Sequence, residues 1–149
     1  MSQPKILPHK SGKSVMVVGE TYILLVTGKD TNGRYAIFEA LCVPGGGPPP
    51  HIHTREDENF YVLEGPVEFM VEGKLTTAAT GTTVHVPRGT LHTYKALGAN
   101  ARLLVQVMPA GLDAFFEEVG EKPDTPVTDA HIQKVMAVAP KYGVEIKLP

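Results

Sequence analysis

The chain contains 149 residues, a length typical of one domain that buries its own hydrophobic core. Fourteen Lys and Arg residues against sixteen Asp and Glu residues give a net charge of -2. That balance provides no broad positive field for a phosphate backbone or an anionic membrane, so we expect neither nucleic acid nor a membrane as partner. The single cysteine, Cys42, excludes an internal disulfide and a cysteine-based zinc site, and it fits a cytoplasmic protein.

Frequent chain breakers, 13 prolines and 15 glycines, predict many short strands rather than long helices. Residues 1–14 are expected to form an extended arm. Segments rich in β-branched residues then predict strands at 15–18 and 21–27. An Asn-Gly pair at 32–33 is expected to close a hairpin onto a third strand at 34–43.

The proline- and glycine-rich stretch at 44–50 is predicted to be an internal loop, because neither flank has the length of a second domain. Five further runs between turn residues predict strands at 59–64, 67–72, 83–86, 91–97 and 101–108. So many short strands indicate an all-β fold, a sandwich or small barrel, over residues 15–108.

Beyond Pro109 the apolar period changes from two to that of a helix, which predicts a C-terminal helical extension over 109–149. The first helix is expected to bury Leu112, Phe115, Phe116 and Val119, with Asp113, Glu117 and Glu118 opposite. A second helix is predicted to begin after a cap at Thr128 or Asp129, to bury Ile132, Val135 and Met136, and to end before Pro140 or in a turn that Gly143 closes.

Three histidines and one glutamate have the spacing of a metal site. His51 and His53 are two apart, so on a strand both imidazoles point to the same face. Glu58 follows after enough chain to turn back to the same point, and His92 opens a later strand behind a tight turn. Taken alone, the His-Ile-His segment has an alternative interpretation, because two polar side chains on one strand face can simply face water.

The wider pattern resembles the two sequence signatures of the cupin superfamily. The first is carried by Gly45, His51, His53, Glu58 and Gly65, and the second by Gly81, Pro87, Gly89 and His92. The resemblance implies an antiparallel cupin jelly-roll β-barrel with one or two C-terminal helices, and a metal inside it held by His51, His53, Glu58 and His92. The asparagine often found four residues past the last histidine is Ala96 here, so any hydrogen bond it would make is absent.

The remaining acidic and histidine side chains near these motifs are expected to serve other roles. Glu56 and Asp57 are rival carboxylates, but Glu58 shares the alternation of the inward residues, so Glu56 is predicted to be a solvated turn residue. His85 is expected to point out of the barrel. His9 and His131 have no partner at ligand spacing and are assigned no role.

An apolar substrate pocket is expected beside the metal site. Its predicted residues are Phe60, Val62, Phe69, Val71, Tyr94 and Phe115. On the opposite face, Tyr61 and Leu63 point outward and need cover, either from the N-terminal hairpin or from a second subunit. The resemblance favours a homodimer.

The C-terminal third also resembles small single-domain cupins of the quercetin 2,3-dioxygenase-like type. That resemblance implies a metal-dependent dioxygenase acting on a flavonol or other small enolic or aromatic substrate, with dioxygen as co-substrate and Glu58 as the base. The ligand set accepts one divalent transition metal, Fe, Mn, Ni, Co, Cu or Zn. Two alternatives remain open: a metal-dependent isomerase or epimerase, and a non-catalytic cupin that binds a small ligand.

Overall fold

Two antiparallel sheets account for most of the fold of the computed structural model, which describes residues 2–148. Their strands are β1 (Lys13–Val17), β2 (Glu20–Val26), β3 (Ala36–Cys42), β4 (His51–His53), β5 (Asp57–Glu64), β6 (Val67–Val71), β7 (Lys74–Ala78), β8 (Thr83–Val86), β9 (His92–Ala96), β10 (Ala101–Met108) and β11 (Val144–Ile146). One sheet has the order β1-β2-β3-β10-β5-β8, and the other has the order β11-β4-β9-β6-β7. The predicted all-β jelly-roll class is confirmed.

Alternation along the strands builds the interior. In β2, β3, β5, β9 and β10, buried residues alternate with partly or fully exposed ones over most of the strand, and the apolar buried positions meet in one hydrophobic core. Because a shift of one residue would exchange the two faces, the apolar pattern fixes which side chains enter the barrel.

Three helices lie at the edges of the sheets: α1 (Gly28–Thr31), α2 (Leu112–Val119) and α3 (Asp129–Val138). A short 3₁₀ helix, Ala139–Tyr142, follows α3 and ends at Gly143, as the predicted turn required. The helix α2 buries the four apolar residues that its sequence period indicates. None of the helices within residues 2–148 is both long and apolar enough to cross a membrane.

The structure corrects several sequence-based expectations about local structure. Asn32 ends α1 in a left-handed conformation, so the Asn-Gly pair caps a helix and does not form a two-residue hairpin turn. Asp113 is buried, because it accepts hydrogen bonds from the backbone N–H groups of Gly28 and Gly111. The strands β7 and β11 were not predicted, and Met1 and Pro149, the ends of the predicted arm and extension, lie outside the described residues.

The second C-terminal helix buries only one of the three apolar residues predicted. Val135 is buried as predicted, and His131 is buried as well, whereas Ile132 and Met136 remain 39% and 36% exposed. His131 and Val135 are four residues apart and lie one above the other on the helix. Ile132 and Met136 line a cavity together with Val135, and the prediction that they are buried is wrong.

The proline- and glycine-rich loop at 44–50 is held firmly against the second sheet, as an internal loop. The N–H of Gly45 donates to the Ala96 carbonyl, and the N–H of Ala96 donates to the Gly46 carbonyl, at 3.1 and 3.0 Å. At Gly47 any side-chain carbon would collide with the Tyr94 carbonyl oxygen, so only glycine fits there. The loop therefore delivers the chain to β4 along one defined path.

Candidate metal centre and adjoining cavity

Four side chains from three strands meet at one point inside the barrel. β4 supplies His51 and His53, β5 supplies Glu58, and β9 supplies His92, each from a buried position. The antiparallel register pairs His51 with His92 directly, which brings the two sequence motifs together. One donor atom from each of the four residues lies within 4.8 Å of the others. These residues are the ones that the sequence predicted as a metal-ligand set.

The Glu58 carboxylate is the centre of the contacts within this cluster. Its Oε1 lies 2.9 Å from Nε2 of His92 and 3.3 Å from Nε2 of His53. Burial alone would raise the pKa of Glu58, but the charge and hydrogen bonds of the two histidines outweigh burial and hold the pKa well below its usual range. The Glu58 carboxyl is therefore ionised at neutral pH.

Backbone carbonyls fix the orientation of two imidazoles. Nδ1 of His51 lies 2.9 Å from the Pro49 carbonyl oxygen, and Nδ1 of His92 lies 2.9 Å from that of Thr90. A carbonyl only accepts, so each Nδ1 carries the proton and each Nε2 of the neutral ring is left with a free lone pair. This is the arrangement that a nitrogen ligand to a metal requires.

The same geometry tests whether a cation fits. A free Nε2 lone pair of His92 at 2.9 Å from an ionised carboxylate oxygen is repulsive unless a positive charge is shared between them. A proton or a metal ion supplies that charge. Burial and the neighbouring imidazoles of His53 and His92 lower the pKa of His51 to about 3, whereas Glu58 overcomes burial and raises that of His53. Three imidazoles and one carboxylate thus suit a divalent transition metal.

Glu56 is buried, which corrects the prediction that it is a solvated turn residue. Its Oε2 lies 3.9 Å from Nδ1 of His53, on the side of the ring away from Glu58, and neither atom has a hydrogen-bond partner among the described residues. Burial raises the pKa of Glu56. The chain at Gly111, just before α2, covers this carboxylate, and no feature of the local sequence indicates that contact.

A cavity of about 320 Å³ adjoins the cluster, and His51, His53 and Glu58 form part of its wall. The other lining residues are mainly apolar or aromatic. They include Val17, Tyr22, Phe38, Tyr94, Leu112, Phe115, Phe116, Ile132, Val135, Met136 and Val144. Both Tyr94 and Phe115 were predicted at this position, whereas the contributions of β2, α3 and β11 were not. The cavity has the size and character of a small-molecule site.

The other four predicted pocket residues, Phe60, Val62, Phe69 and Val71, do not line this cavity. The Phe60 ring packs against those of Phe69 and Tyr94, with centroids 5.3 and 5.6 Å away, and within this group only Tyr94 reaches the cavity. Val62 is fully buried, and Val71 packs at the edge of the core. Alternation identified them as inward residues but gave no information about depth.

The three remaining histidines lie outside the cluster. His85 is exposed on β8 and contacts Oδ1 of Asn59 through Nδ1, as its predicted outward direction requires. His9 is exposed in the N-terminal segment. His131 is buried in α3, where its two ring nitrogens have no hydrogen-bond partner among the described residues.

A match to the family model of the cupin domain covers residues 39–107, a segment that contains all four clustered side chains. Together with the fold, this match identifies the domain. The chain contains a cupin domain. Among solved structures, this cupin is similar to KdgF from Halomonas sp., with a TM-score of 0.67 and 19% identity over 75% of this chain and 99% of that one.

Other relatives of this cupin are named for an activity. The quercetin 2,3-dioxygenase of Bacillus subtilis is 23% identical over 79% of this chain and 35% of that protein. The probable oxidoreductase virH of Hypocrea virens is 31% identical over 60% of this chain and 46% of that protein. The cupin thus spans about a third to a half of the length of these curated relatives. The polyketide cyclase RemF from Streptomyces resistomycificus has a TM-score of 0.64 and 25% identity over 71% of this chain and 80% of that one.

Proposed function

We propose that this cupin is a metal-dependent dioxygenase of the quercetin 2,3-dioxygenase type, which acts on a flavonol or another small enolic or aromatic substrate. One observation carries the proposal: a buried set of three imidazoles and one carboxylate adjoins a cavity, His51, His53 and Glu58 form part of its wall, and the other walls are mostly aromatic and aliphatic. Such walls favour a flat apolar molecule, and the polar cluster gives its enol oxygen a place to bind.

His51, His53, Glu58 and His92 would hold one divalent transition metal, with Fe, Mn, Ni, Co, Cu and Zn all compatible with these donors. When bound, such an ion supplies a Lewis acid and an open coordination position for an enolic substrate and dioxygen. The Pro49 and Thr90 carbonyls keep His51 and His92 in the tautomer that leaves Nε2 free.

Glu58 is the residue that we assign to proton transfer. It is ionised, it lies in the cavity wall, and one of its oxygens already takes both histidine contacts. The enol hydroxyl of a substrate gives its proton to this carboxylate, which needs to loosen its contact with His92 or His53 as the negative charge moves to the substrate. The apolar walls from α2 and α3 exclude water from that exchange.

The relatives support this assignment in part. The Bacillus subtilis and Hypocrea virens proteins are both named for oxidative chemistry. A second candidate is the cyclisation of an aromatic precursor, which the same aromatic cavity and the 25% identity to the polyketide cyclase RemF favour. Dependence on dioxygen separates the two reactions.

The isomerase or epimerase alternative is less well supported. A sugar or phosphate ligand needs several polar or cationic groups, and neither Lys nor Arg lines the cavity within the described residues. The non-catalytic alternative needs only the cavity, so it gives no reason for four metal-ligand side chains to converge beside it. Both alternatives predict no oxygen uptake.

Two measurements test the proposal. Elemental analysis of protein purified without a metal-affinity tag is expected to find close to one divalent metal per chain. Oxygen uptake is then measured with a flavonol, and with the flavone that lacks the 3-hydroxyl group as matched control, after loading with each of Fe, Mn, Ni, Co and Cu. We expect uptake with the flavonol only. Absence of uptake with every metal would overturn the dioxygenase assignment.

We also propose a cytoplasmic homodimer that buries the outer face of the six-stranded sheet. Tyr61 is 45% exposed on this face beside the partly buried Leu63. The hairpin of β1 and β2 extends the edge of the sheet, because β2 pairs with β3, and it therefore leaves this face uncovered. An apolar patch on a sheet face is a common site of association between copies of a chain.

A further inference from the structure

Glu20 is a buried carboxylate in the cavity wall that does not belong to the metal-ligand cluster. It begins β2, shares the inward face of that strand with Tyr22 and Leu24, and is only 4% exposed. Glu20 and Glu58 both line the same cavity. Glu20 is thus a second carboxylate in the wall of a mostly apolar cavity.

The hydrogen bonds of Glu20 are incomplete. The Cys42 thiol lies near the carboxyl group, and the oxygen Oε2 has no hydrogen-bond partner among the described residues. Glu20 also forms no ion pair with any of them. A buried carboxyl oxygen without a partner costs free energy, so its presence calls for an explanation.

The position of the carboxyl group is set by backbone that cannot easily move. A side-chain carbon at Gly46 would lie 2.8 Å from Oε1 of Glu20, so the loop at 44–50 packs directly on the carboxyl group. That loop is itself pinned to Ala96 by two backbone hydrogen bonds. Glu20 is therefore presented to the cavity in a defined place.

The surroundings of Glu20 indicate what kind of ligand it meets. The Tyr22 ring stacks on the Phe116 ring with centroids 4.0 Å apart and an interplanar angle of 10°, and the Phe38 ring packs edge-on against both. These three rings line the same cavity as Glu20. A flat aromatic ligand fits such walls, and a polar group on it gains most where it meets the Glu20 carboxyl group.

We propose that Glu20 is a specificity-determining residue, whose carboxyl group accepts a hydrogen bond from a neutral hydroxyl group on an aromatic ligand. The inference rests on the proposed function in one respect, because the ligand is a hydroxylated member of the proposed aromatic substrate class. Its hydroxyl group is remote from the oxygen that meets the metal-ligand cluster. Burial raises the pKa of Glu20 to about 7. The group accepts from a hydroxyl in either protonation state, whereas an anionic ligand group is repelled once Glu20 ionises.

Binding of two simple probes, 2-naphthol and naphthalene, to the full chain tests the proposal without oxygen or turnover. The quantity measured is the ratio of the naphthalene Kd to the 2-naphthol Kd, by fluorescence titration of wild type, Glu20→Leu and Glu20→Gln. Glu20→Leu is expected to lower this ratio about tenfold. Glu20→Gln keeps an oxygen acceptor and is expected to retain most of the wild-type ratio. Leu fills a similar volume without a polar atom, so its variant is expected to fold.

Glu117→Leu is the matched control, because Glu117 lies on the exposed side of α2, whose other side lines the cavity. It is expected to leave the ratio unchanged. An unchanged ratio in Glu20→Leu would overturn the proposal, as would failure of the wild type to bind either probe. Absence of oxygen uptake by the wild type with flavonols, by contrast, would contradict the dioxygenase assignment and leave the preference for 2-naphthol as a separate result.

Discussion

Nε2 of His92 lies 2.9 Å from Oε1 of Glu58 in the interior of the barrel, while Nδ1 of the same ring is committed to the Thr90 carbonyl. A positive charge must therefore lie between the imidazole and the carboxylate. Removal of either side chain leaves the other buried without its partner. The proposed metal binding and the local stability consequently depend on the same pair.

The first prediction concerns metal content. His51→Ala, His53→Ala and His92→Ala are each expected to weaken metal binding by at least about 100-fold, since losing even an outer hydrogen-bond partner typically costs 10- to 100-fold. Elemental analysis of untagged protein measures the occupancy, and circular dichroism checks that the barrel remains folded. His85→Ala is the control, because His85 is exposed on β8. Full occupancy in a His51→Ala/His92→Ala double variant would place the metal elsewhere.

The second prediction concerns Glu58. Glu58→Gln keeps nearly the same volume and a neutral oxygen, but it removes the base, and loss of a general base commonly lowers the rate about 10²- to 10⁴-fold. We expect turnover of a flavonol to fall by that factor, with a much smaller change in substrate Kd. Oxygen uptake and substrate titration are measured together with metal content. A variant that keeps its metal and the wild-type rate would show that Glu58 is not the base.

The sequence identifies the candidate ligands because strand alternation is a local property. His51, His53 and Glu58 share the parity of buried strand positions, and their motif spacing places His92 opposite them. Glu20 alternates in phase with the apolar residues Tyr22 and Leu24, which is the same signal of an inward charged residue. The predicted site nevertheless does not include Glu20.

Other features depend on contacts that sequence spacing does not encode. Burial of Glu56 follows from the chain at Gly111, far along the sequence, which covers it. The exposed positions of Ile132 and Met136 follow from where α3 meets the cavity. Depth within the core likewise separates Tyr94 from Phe60, although both point inward. Each of these depends on long-range packing between elements.

The third prediction uses Phe60 and Phe115 to separate core from cavity wall. Phe60 packs against Phe69 and Tyr94 and does not line the cavity, so Phe60→Ala is expected to cost about 3–5 kcal/mol of unfolding free energy. Phe115→Ala instead enlarges the cavity, so it is expected to weaken binding of 2-naphthol more than Phe60→Leu does. Denaturant unfolding measures the stability of Phe60→Ala, and fluorescence titration measures the 2-naphthol affinity of Phe115→Ala and Phe60→Leu. Equal loss of affinity in Phe115→Ala and Phe60→Leu would contradict this division between cavity wall and core.

The fourth prediction is a pH dependence of stability. Burial raises the pKa of Glu20 from 4.5 to about 7. Below pH 4.5 Glu20 is protonated in both the folded and the unfolded chain. Above pH 4.5 the unfolded chain loses this proton first, so the contribution of Glu20 to the free energy of unfolding declines until about pH 7. The nearby Cys42 and Tyr22, whose pKa values burial also raises, stay neutral over this range.

Glu20→Gln does not titrate, so its stability relative to wild type is expected to rise by about 3 kcal/mol between pH 4.5 and pH 8.5. Urea unfolding at the two pH values gives this difference directly. Glu117→Gln, on the exposed side of α2, serves as control and is expected to show no such trend. A pH-independent difference for Glu20→Gln would mean that Glu20 is not held in an apolar environment.

The fifth prediction concerns association. Tyr61→Lys places a charge on the outer face of the six-stranded sheet, where Tyr61 is 45% exposed, and is expected to convert a dimer into a monomer with little loss of stability. Sedimentation or light scattering at micromolar concentration measures the mass. Leu75→Lys is the control, because Leu75 is exposed on β7 in the other sheet. A monomeric wild type would exclude this interface.

The pairing of β4 with β11 has a consequence for how the protein is made. β4, which carries His51 and His53, is held on one side by β9 and on the other by β11, whose Val144 pairs with His53. Ribosomes add about 5–20 residues per second, so β11 emerges roughly 5–20 s after β4. During that interval the strand that bears two of the ligands has an open edge. The proposed metal capture by the finished centre therefore belongs to the end of synthesis, after the strands from β1 to β10 have been made.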